Sequence, residues 1–487
     1  MGNLVTFVAM LLTTIYNSVL ILGFTLAYFA IIISCIVVVL SENRNPIRSM
    51  AWTIALLFLP VVGLIFYLFF GRSLKGQHII SRHNKRKLLH NVRLAKVNLD
   101  DTPLSDSDRQ LVKLSYTLTK YPLTKNNRLE IYTHGTDKFE ALIHDLECAR
   151  DSIYIQYYIF SDDVLGTRIA DILIDKAREG VSVCVIYDHV GSLGTSRRFF
   201  NRMRDNGVDV HPFFKVTFPQ LANRINWRNH RKIAIIDNRV GYIGGMNIAD
   251  RYYDKSGQRA WRDTHFRVEG DIIGSMLRSF VVDWYFLTPD GEKLDMSLPE
   301  NPIRNDCGIQ LVTDGPVNNW DNLSLCFLKA ISSARKLIYI QTPYFLPTDS
   351  LLHALEAAAL SKVDVRIMIP RRSDSRLLQF ASFSYVTQCL RSNIKVYLYE
   401  PGMLHAKTMI IDDNFVTAGS TNFDFRSFEN NFECNLQIYD SEVNHRMRDI
   451  FFRDLEDCTK LTYSQWKKRP MPQRAVESVV RLVAPIL

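Results

Sequence analysis

A chain of 487 residues has room for two or three domains and for large cores. With 47% hydrophobic and 22% charged residues it is neither a disordered nor a fibrous protein. The 59 Lys and Arg exceed the 50 Asp and Glu, and the resulting charge of +9 is concentrated in one early stretch.

Residues 4–40 hold no charged side chain, and residues 50–70 form a second uncharged run. Each can supply the roughly 20 apolar residues that cross a bilayer. The first run is too long for one crossing. Spans are therefore expected near 18–40 and 50–70, with residues 4–17 as an interfacial lead-in or a protruding helix end. Pro60 and Gly63 lie in the second run, and membrane helices tolerate both. A secretory signal is not expected, because no basic region precedes the first run and a second apolar run follows it. Residues 72–96 then carry Arg72, Lys75, Arg82, Lys85, Arg86, Lys87, Arg93 and Lys96 without one acid. By the positive-inside rule this predicts a membrane hairpin in the cell membrane, multi-pass, with the rest of the chain in the cytoplasm. The same stretch suits anionic membrane lipid. Eight cysteines occur without a C-x-x-C pair, several in apolar surroundings, which reads as a reducing compartment.

Beyond the basic linker (72–108) the chain is written twice, as halves expected at 109–290 and 291–487. "ARDSIYIQYYIF" (149–160) matches "ARKLIYIQTPYF" (334–345), each after a helical segment and before another. "VSVCVIYD" and "VDVRIMIP" are further buried strands, followed by "GVDVHPFF" and "NIKVYLYE". Strands alternating with helices predict an α/β fold of two pseudo-symmetric sandwich halves. Residues 287–306, rich in Pro, Gly and charge, are the expected link.

Each half ends its pattern on an H-x-K strand: "HRKIAIID" (230–237) and "HAKTMIID" (405–412). Side chains alternate along a strand, so His230 and Lys232 share a face, as do His405 and Lys407. These four, with Asp237 and Asp412, complete the repeated motif and form the candidate catalytic set. Parity sets the two aspartates apart, and they read as structural, closing hairpins through the turns that follow. Seventeen residues after each histidine come Asn247, ending "GGMN", and Asn422, ending "GSTN". With Gly245 and Ser420 in those tails they are candidate phosphate-binding donors.

Two histidines, two lysines and two asparagines facing each other suit a phosphodiester. The lysines would neutralise non-bridging oxygens. One imidazole would attack phosphorus and the other would serve as acid and base. An unperturbed imidazole titrates near neutrality, so both protonation forms are accessible at pH 7. Each histidine needs an orienting carboxylate, and Asp263 in "WRDTHFRVEG" and Glu433 in "NNFECN", one following each motif, are the candidates. No metal or cofactor is expected, because carboxylate or His/Cys clusters at ligand spacing are absent. Nucleic acid is disfavoured as a partner: two membrane runs precede the domain, and no stripe of stacking aromatics is evident. Gln156, Tyr157, Tyr158 and Tyr344 could line the mouth or pack. Phe213, Phe214, Phe218 and Trp227 could form a lipid-contacting lip or lie in the core.

The paired motifs resemble the HKD motifs of the phospholipase D superfamily. With the membrane region "NPIRSMAWTIALLFLPVVGLIFYLFFGR" and the flank "GSTNFDFRSFENNFE", nearly the whole chain resembles bacterial cardiolipin synthases. That resemblance implies phosphatidyl transfer between two phosphatidylglycerol molecules, giving cardiolipin and glycerol through a phosphohistidine. It also implies His230 as nucleophile and His405 as acid/base. A phosphatidyl hydrolase, or a transferase to another alcohol, would use the same residues.

Overall fold

The computed structural model describes residues 2–41, 46–67, 71, 94, 97–99, 102–215, 226–253, 261–289 and 294–484. The basic stretch therefore lies almost wholly outside the described residues, as does Phe218. The chain divides into two compact units, one holding the N-terminal helices and the other both repeated halves.

In the N-terminal unit the first apolar run is one unbroken helix, α1 (Gly2–Ser41). At about 1.5 Å per residue, 40 residues run about 60 Å, twice a bilayer's hydrocarbon thickness. No helix break marks the expected start of a span at residue 18. Leu11, Ile21, Phe24 and Ile33 are more than half exposed, a surface that suits lipid rather than water. The second run, expected as a span near 50–70, is broken into two helices. It folds as α2 (Pro46–Phe58) and α3 (Pro60–Phe66), with Leu59 between them at φ −125°, ψ 66°. Pro60 has no N–H to continue the ladder. Gly63 approaches the Ala55 carbonyl so closely that a Cβ would collide with it, which lets α3 fold against α2. Among the described residues only α1 is long and apolar enough to cross a membrane. Ile32 and Val39 of α1 pack with Leu56 of α2 and Tyr67.

The repeated halves form two sheets of matching order. The strands of the first are β2 (Asn127–Tyr132), β3 (Ser152–Tyr157), β4 (Ser182–Asp188), β5 (Asp209–Phe213), β7 (Ile233–Ile236), β8 (Val240–Gly244) and β9 (His265–Gly270); β1 (Leu123–Thr124) and β6 (Arg228–Asn229) pair elsewhere. Their spatial order is β2-β9-β8-β7-β3-β4-β5. The second sheet uses β10 (Gly308–Asp314), β11 (Leu337–Gln341), β13 (Asp364–Pro370), β14 (Lys395–Tyr399), β15 (Thr408–Ile411), β16 (Phe415–Gly419) and β18 (Asn431–Tyr439). It runs β10-β18-β16-β15-β11-β13-β14, the same path strand for strand, with β1 added at one edge and β19 (Cys458–Lys460) at the other, while β12 (Phe345–Leu346) and β17 (Phe423–Asp424) pair with each other.

Alternation along the strands feeds two cores from each sheet. Ile233 and Ile235 of β7 face a central core, while Ala234 and Ile236 face an outer one. The central core lies between the sheets and contains two helices, Ile272–Leu287 and Ser441–Glu456, that supply Phe280, Trp284, Met447 and Phe451. The outer cores are closed by the remaining helices of each half. Helix Asp106–Thr119 does not join the first half, in which the 109–290 boundary would place it. Its Leu111 and Val112 lie in the second half's outer core, and Ser115 donates to Gln437 at 2.8 Å. β1 likewise pairs with β10.

Candidate active site

Both histidines stand just before a strand, His230 ahead of β7 and His405 ahead of β15. Each is held on the backbone of the opposite half. β6 runs parallel to the start of β18, and the His230 N–H donates to the Phe432 carbonyl at 2.9 Å. Reciprocally, Arg262 bridges Leu404, and the His405 N–H donates to the Arg262 carbonyl at 2.6 Å.

This exchange decides the carboxylate partners. Glu433, two residues into the opposite half's strand, lies 2.9 and 3.1 Å from His230 Nδ1. Asp263, next to Arg262, lies 2.6 Å from His405 Nδ1. The acid following each motif thus serves the other motif's histidine. With Nδ1 turned to a carboxylate, Nε2 is left for a substrate. The lysines fall on the same side as their histidines, as parity requires. Lys232 Nζ donates to the His230 carbonyl at 2.5 Å, and Lys407 Nζ to that of His405. Lys407 Nζ is also 2.8 Å from His405 Nδ1.

A model of a cardiolipin synthase, PLD-like domain matches residues 142–264 and 327–455, and a phospholipase D-nuclease N-terminal model matches residues 29–72. The major cardiolipin synthase ClsA of Bacillus subtilis is 37% identical over 472 residues, covering 94% of this chain and 97% of that protein. The chain belongs to the cardiolipin synthases of the phospholipase D superfamily. A cardiolipin synthase of Listeria monocytogenes is 38% identical, covering 93% and 96% of the two chains. The crystal structure of phosphatidylserine synthase from Haemophilus influenzae superposes with a TM-score of 0.61 at 15% identity. It covers 78% of this chain and 100% of that one, and bears on the fold alone.

Burial governs the electrostatics of this family's paired motif in the present chain. It pushes His230 down to about 4; Glu433 opposes the shift and Lys232 adds to it. Burial, then Lys407, pushes His405 down to about 3. Both imidazoles are thus neutral at pH 7 in the unliganded protein, which departs from the expectation of near-neutral titration. Burial also lowers Lys232 to about 7 and Lys407 to about 8, although Glu433 and Asp263 counteract it. The charge of Lys407 is felt at His230 and that of Lys232 at His405, so the two motifs share one field. Burial would raise Glu433 and Asp263, but the partners around them, His230 and Lys232 at Glu433 and Lys407 and His405 at Asp263, outweigh it and hold both below the usual carboxylate range.

The lysine shifts carry a stability consequence with a defined sign. An unfolded lysine titrates near 10.4. Between about pH 7 and that value the unfolded chain binds protons that folded Lys232 does not, so stability rises with pH across the window. Activity should run the opposite way as the ammonium charge is lost. Raising the pH from 7 to 9 is expected to narrow any melting-temperature advantage of Lys232→Met over the wild type, while wild-type kcat/KM falls. Thermal unfolding and rate profiles on the two proteins check both trends.

Asp237 and Asp412, grouped with the catalytic residues by motif, lie at the far ends of their strands. Asp237 accepts the backbone N–H groups of Arg150, Asp151 and Ser152, at 2.8 Å for Asp151. Asp412 does the same for Arg335, Lys336 and Leu337. Both occupy the left-handed region, at φ 50° and 49°, which asparagine and aspartate tolerate better than most residues. Their side chains secure the loop entering the neighbouring strand and so hold the sheet.

The tails also depart from the expected role. Ser420 Oγ donates to Glu433 at 2.5 Å, which commits it to the acid that orients His230. At Gly245 a Cβ would collide with the Asp263 carboxylate, so glycine makes room for the acid that orients His405. Asn247 accepts from the Ile159 N–H at 3.2 Å and donates to the Tyr252 hydroxyl at 3.0 Å, and that hydroxyl lies 3.3 Å from His405 Nδ1. The Asn422 side-chain Oδ1 is buried and, among the described residues, has no hydrogen-bond partner. Three of the four expected phosphate donors thus support the machinery behind the histidines.

Sequence reasoning missed the arginines that tie the halves together. Arg231 pairs with Asp283 at 2.5 Å and donates to the carbonyls of Glu433 and Asp314, each at 3.2 Å. Arg262 forms a two-point pair with Asp454 at 3.0 and 2.6 Å. Gln156 and Gln341, the repeated glutamines of "IYIQ", donate to these same aspartates at 2.5 and 2.7 Å. Gln156 is therefore a brace beneath the site. Tyr157 is buried against Lys138 at 3.0 Å, and Tyr344 donates to Asp374 at 2.7 Å. Phe213, Phe214 and Trp227 are core residues, not a lip. The signal for Arg231 was its parity: the x of H-x-K must point away from the site.

Proposed function

We propose that this chain is a membrane-bound phosphatidyltransferase that joins two phosphatidylglycerol molecules into cardiolipin and releases glycerol. The observation that carries the reading is the pair of histidines, each with Nδ1 on a buried carboxylate and a lysine at its side. The cardiolipin synthases it resembles over nearly their whole length support the choice of lipid.

His230 donates Nδ1–H to Glu433, which leaves a lone pair on Nε2 for phosphorus. The donor phosphodiester enters beside Lys232 and Lys407, which neutralise its non-bridging oxygens. That anion favours the protonated form of His405, reversing the effect of burial. The P–N bond to His230 forms as the P–O bond to glycerol breaks, and His405 gives its proton to the leaving oxygen. The terminal hydroxyl of a second lipid then passes its proton to His405 and attacks phosphorus, and the P–N bond breaks. α1 crosses the bilayer, the broken α2–α3 segment is a second membrane segment, and the basic residues after it hold the catalytic unit on the cytoplasmic side.

The test is a product assay on the full chain in vesicles containing labelled phosphatidylglycerol. Glycerol and cardiolipin released in equal amounts are expected. Phosphatidic acid as the sole lipid product would replace this reading with a hydrolase.

A further inference from the structure

The halves repeat the groups that one phosphodiester needs, so polar groups present in only one half call for another explanation. Three such positions cluster beside His230. Arg228 stands two residues before His230, where Met403 stands two before His405. Asp188 ends β4, where Pro370 ends β13. Tyr158 follows "IYIQY", where Pro343 follows "IYIQT".

Their geometry is that of an incomplete anion site. The Tyr158 ring packs edge-on against His230 at 4.9 Å, and Lys232 Nζ lies 5.4 Å from the same ring centre. Arg228 is 1% exposed and sits 3.5 Å from Asp188. That carboxylate is already occupied: it accepts the N–H groups of Val190, Gly191 and Asn229 at 3.0, 2.9 and 2.9 Å. Among the described residues, Nε, Nη1 and Nη2 of Arg228 have no hydrogen-bond partner. A guanidinium has five donors, and burying them without acceptors is costly. Packing alone would be better served by an apolar side chain such as the methionine of the second half. Burial lowers the basicity of Arg228, Asp188 and Tyr158 offset part of that effect, and the charge of Arg426 adds to it. The Arg228 guanidinium, ion-paired only at 3.5 Å with a carboxylate that three N–H groups already share, thus keeps donors to spare beside His230.

We infer that Arg228, beside His230 and Tyr158, binds the phosphodiester of the second, accepting lipid. Arginine matches phosphate with paired N–H groups. Two residues of extended chain separate Arg228 from His230 by about 6.6 Å. That is comparable with the three-carbon headgroup between an acceptor's phosphate and its terminal hydroxyl. An acceptor held at Arg228 therefore presents that hydroxyl to phosphorus on His230. Water and free glycerol lack the anchor, which biases the intermediate toward lipid transfer. The inference rests on the phosphatidyl-transfer reading above.

The test compares two acceptors for one intermediate. Full-length enzyme in phosphatidylglycerol vesicles is given labelled glycerol, so that cardiolipin formation reports the anionic acceptor and glycerol exchange the neutral one. In Arg228→Gln the ratio of cardiolipin formation to glycerol exchange should fall at least about tenfold, with partial recovery in Arg228→Lys. An unchanged ratio, including a parallel loss of both rates from misfolding, overturns the acceptor site and leaves the transfer reading intact. A wild-type enzyme that forms neither product overturns both.

Discussion

His230→Ala and His405→Ala are each expected to lower cardiolipin formation by about 10⁴- to 10⁶-fold, at different steps. Without His230 no nucleophile reaches phosphorus. Without His405 the nucleophile remains, but glycerol must leave as an alkoxide. A donor bearing p-nitrophenol in place of glycerol separates the two defects, because that leaving group needs no proton. His405→Ala should still release a burst of p-nitrophenol and accumulate an acid-labile phosphoenzyme, whereas His230→Ala should give neither. The opposite pattern would transfer the covalent role to His405. Both imidazoles are buried beside a lysine, and their depressed basicity, to about 4 and about 3, does not by itself separate the roles. The distinction is therefore kinetic, and the leaving group is what exposes it.

Much of this architecture was legible because it is local. Period-two strands and repeated helices required two like sheets, and H-x-K parity placed each lysine beside its histidine. The same parity sent Asp237 and Asp412 elsewhere, to the backbone at the far strand ends. What escaped depended on contacts between the halves. No spacing within 228–237 indicates that β6 will pair with β18, or that Arg262 will bridge Leu404. The allegiance of helix Asp106–Thr119 to the second sheet is likewise a long-range choice, made by Ser115 and Gln437. Ser420 and Gly245 look like phosphate donors in isolation, and only their neighbours on β18 and beside β9 show that the carboxylates claim that space. Pro60 was visible in the sequence. Its effect on the second apolar run depended on Gly63 letting α3 return against Ala55.

The exchange between halves makes its own prediction. Glu433→Gln and Asp263→Asn should each reduce turnover by about 10³- to 10⁴-fold, since losing the orienting acid leaves the imidazole in the wrong tautomer. If the acids cross over, Glu433→Gln belongs with His230→Ala and Asp263→Asn with His405→Ala. With the p-nitrophenol donor, Asp263→Asn should then recover its burst while Glu433→Gln remains blocked, although Glu433 lies 203 residues from the histidine it serves. Pairing within each half would reverse the two. Because Ser420 donates to Glu433, Ser420→Ala should show a weaker form of the Glu433→Gln defect, again without rescue by the better leaving group. A rescue of Glu433→Gln by that donor would mean that the acid supports proton delivery and not attack. Each histidine's backbone N–H is also bonded across the same boundary, to Phe432 and to Arg262. Neither half can orient its own imidazole, so the repeat persists in one chain as a single site and not as two.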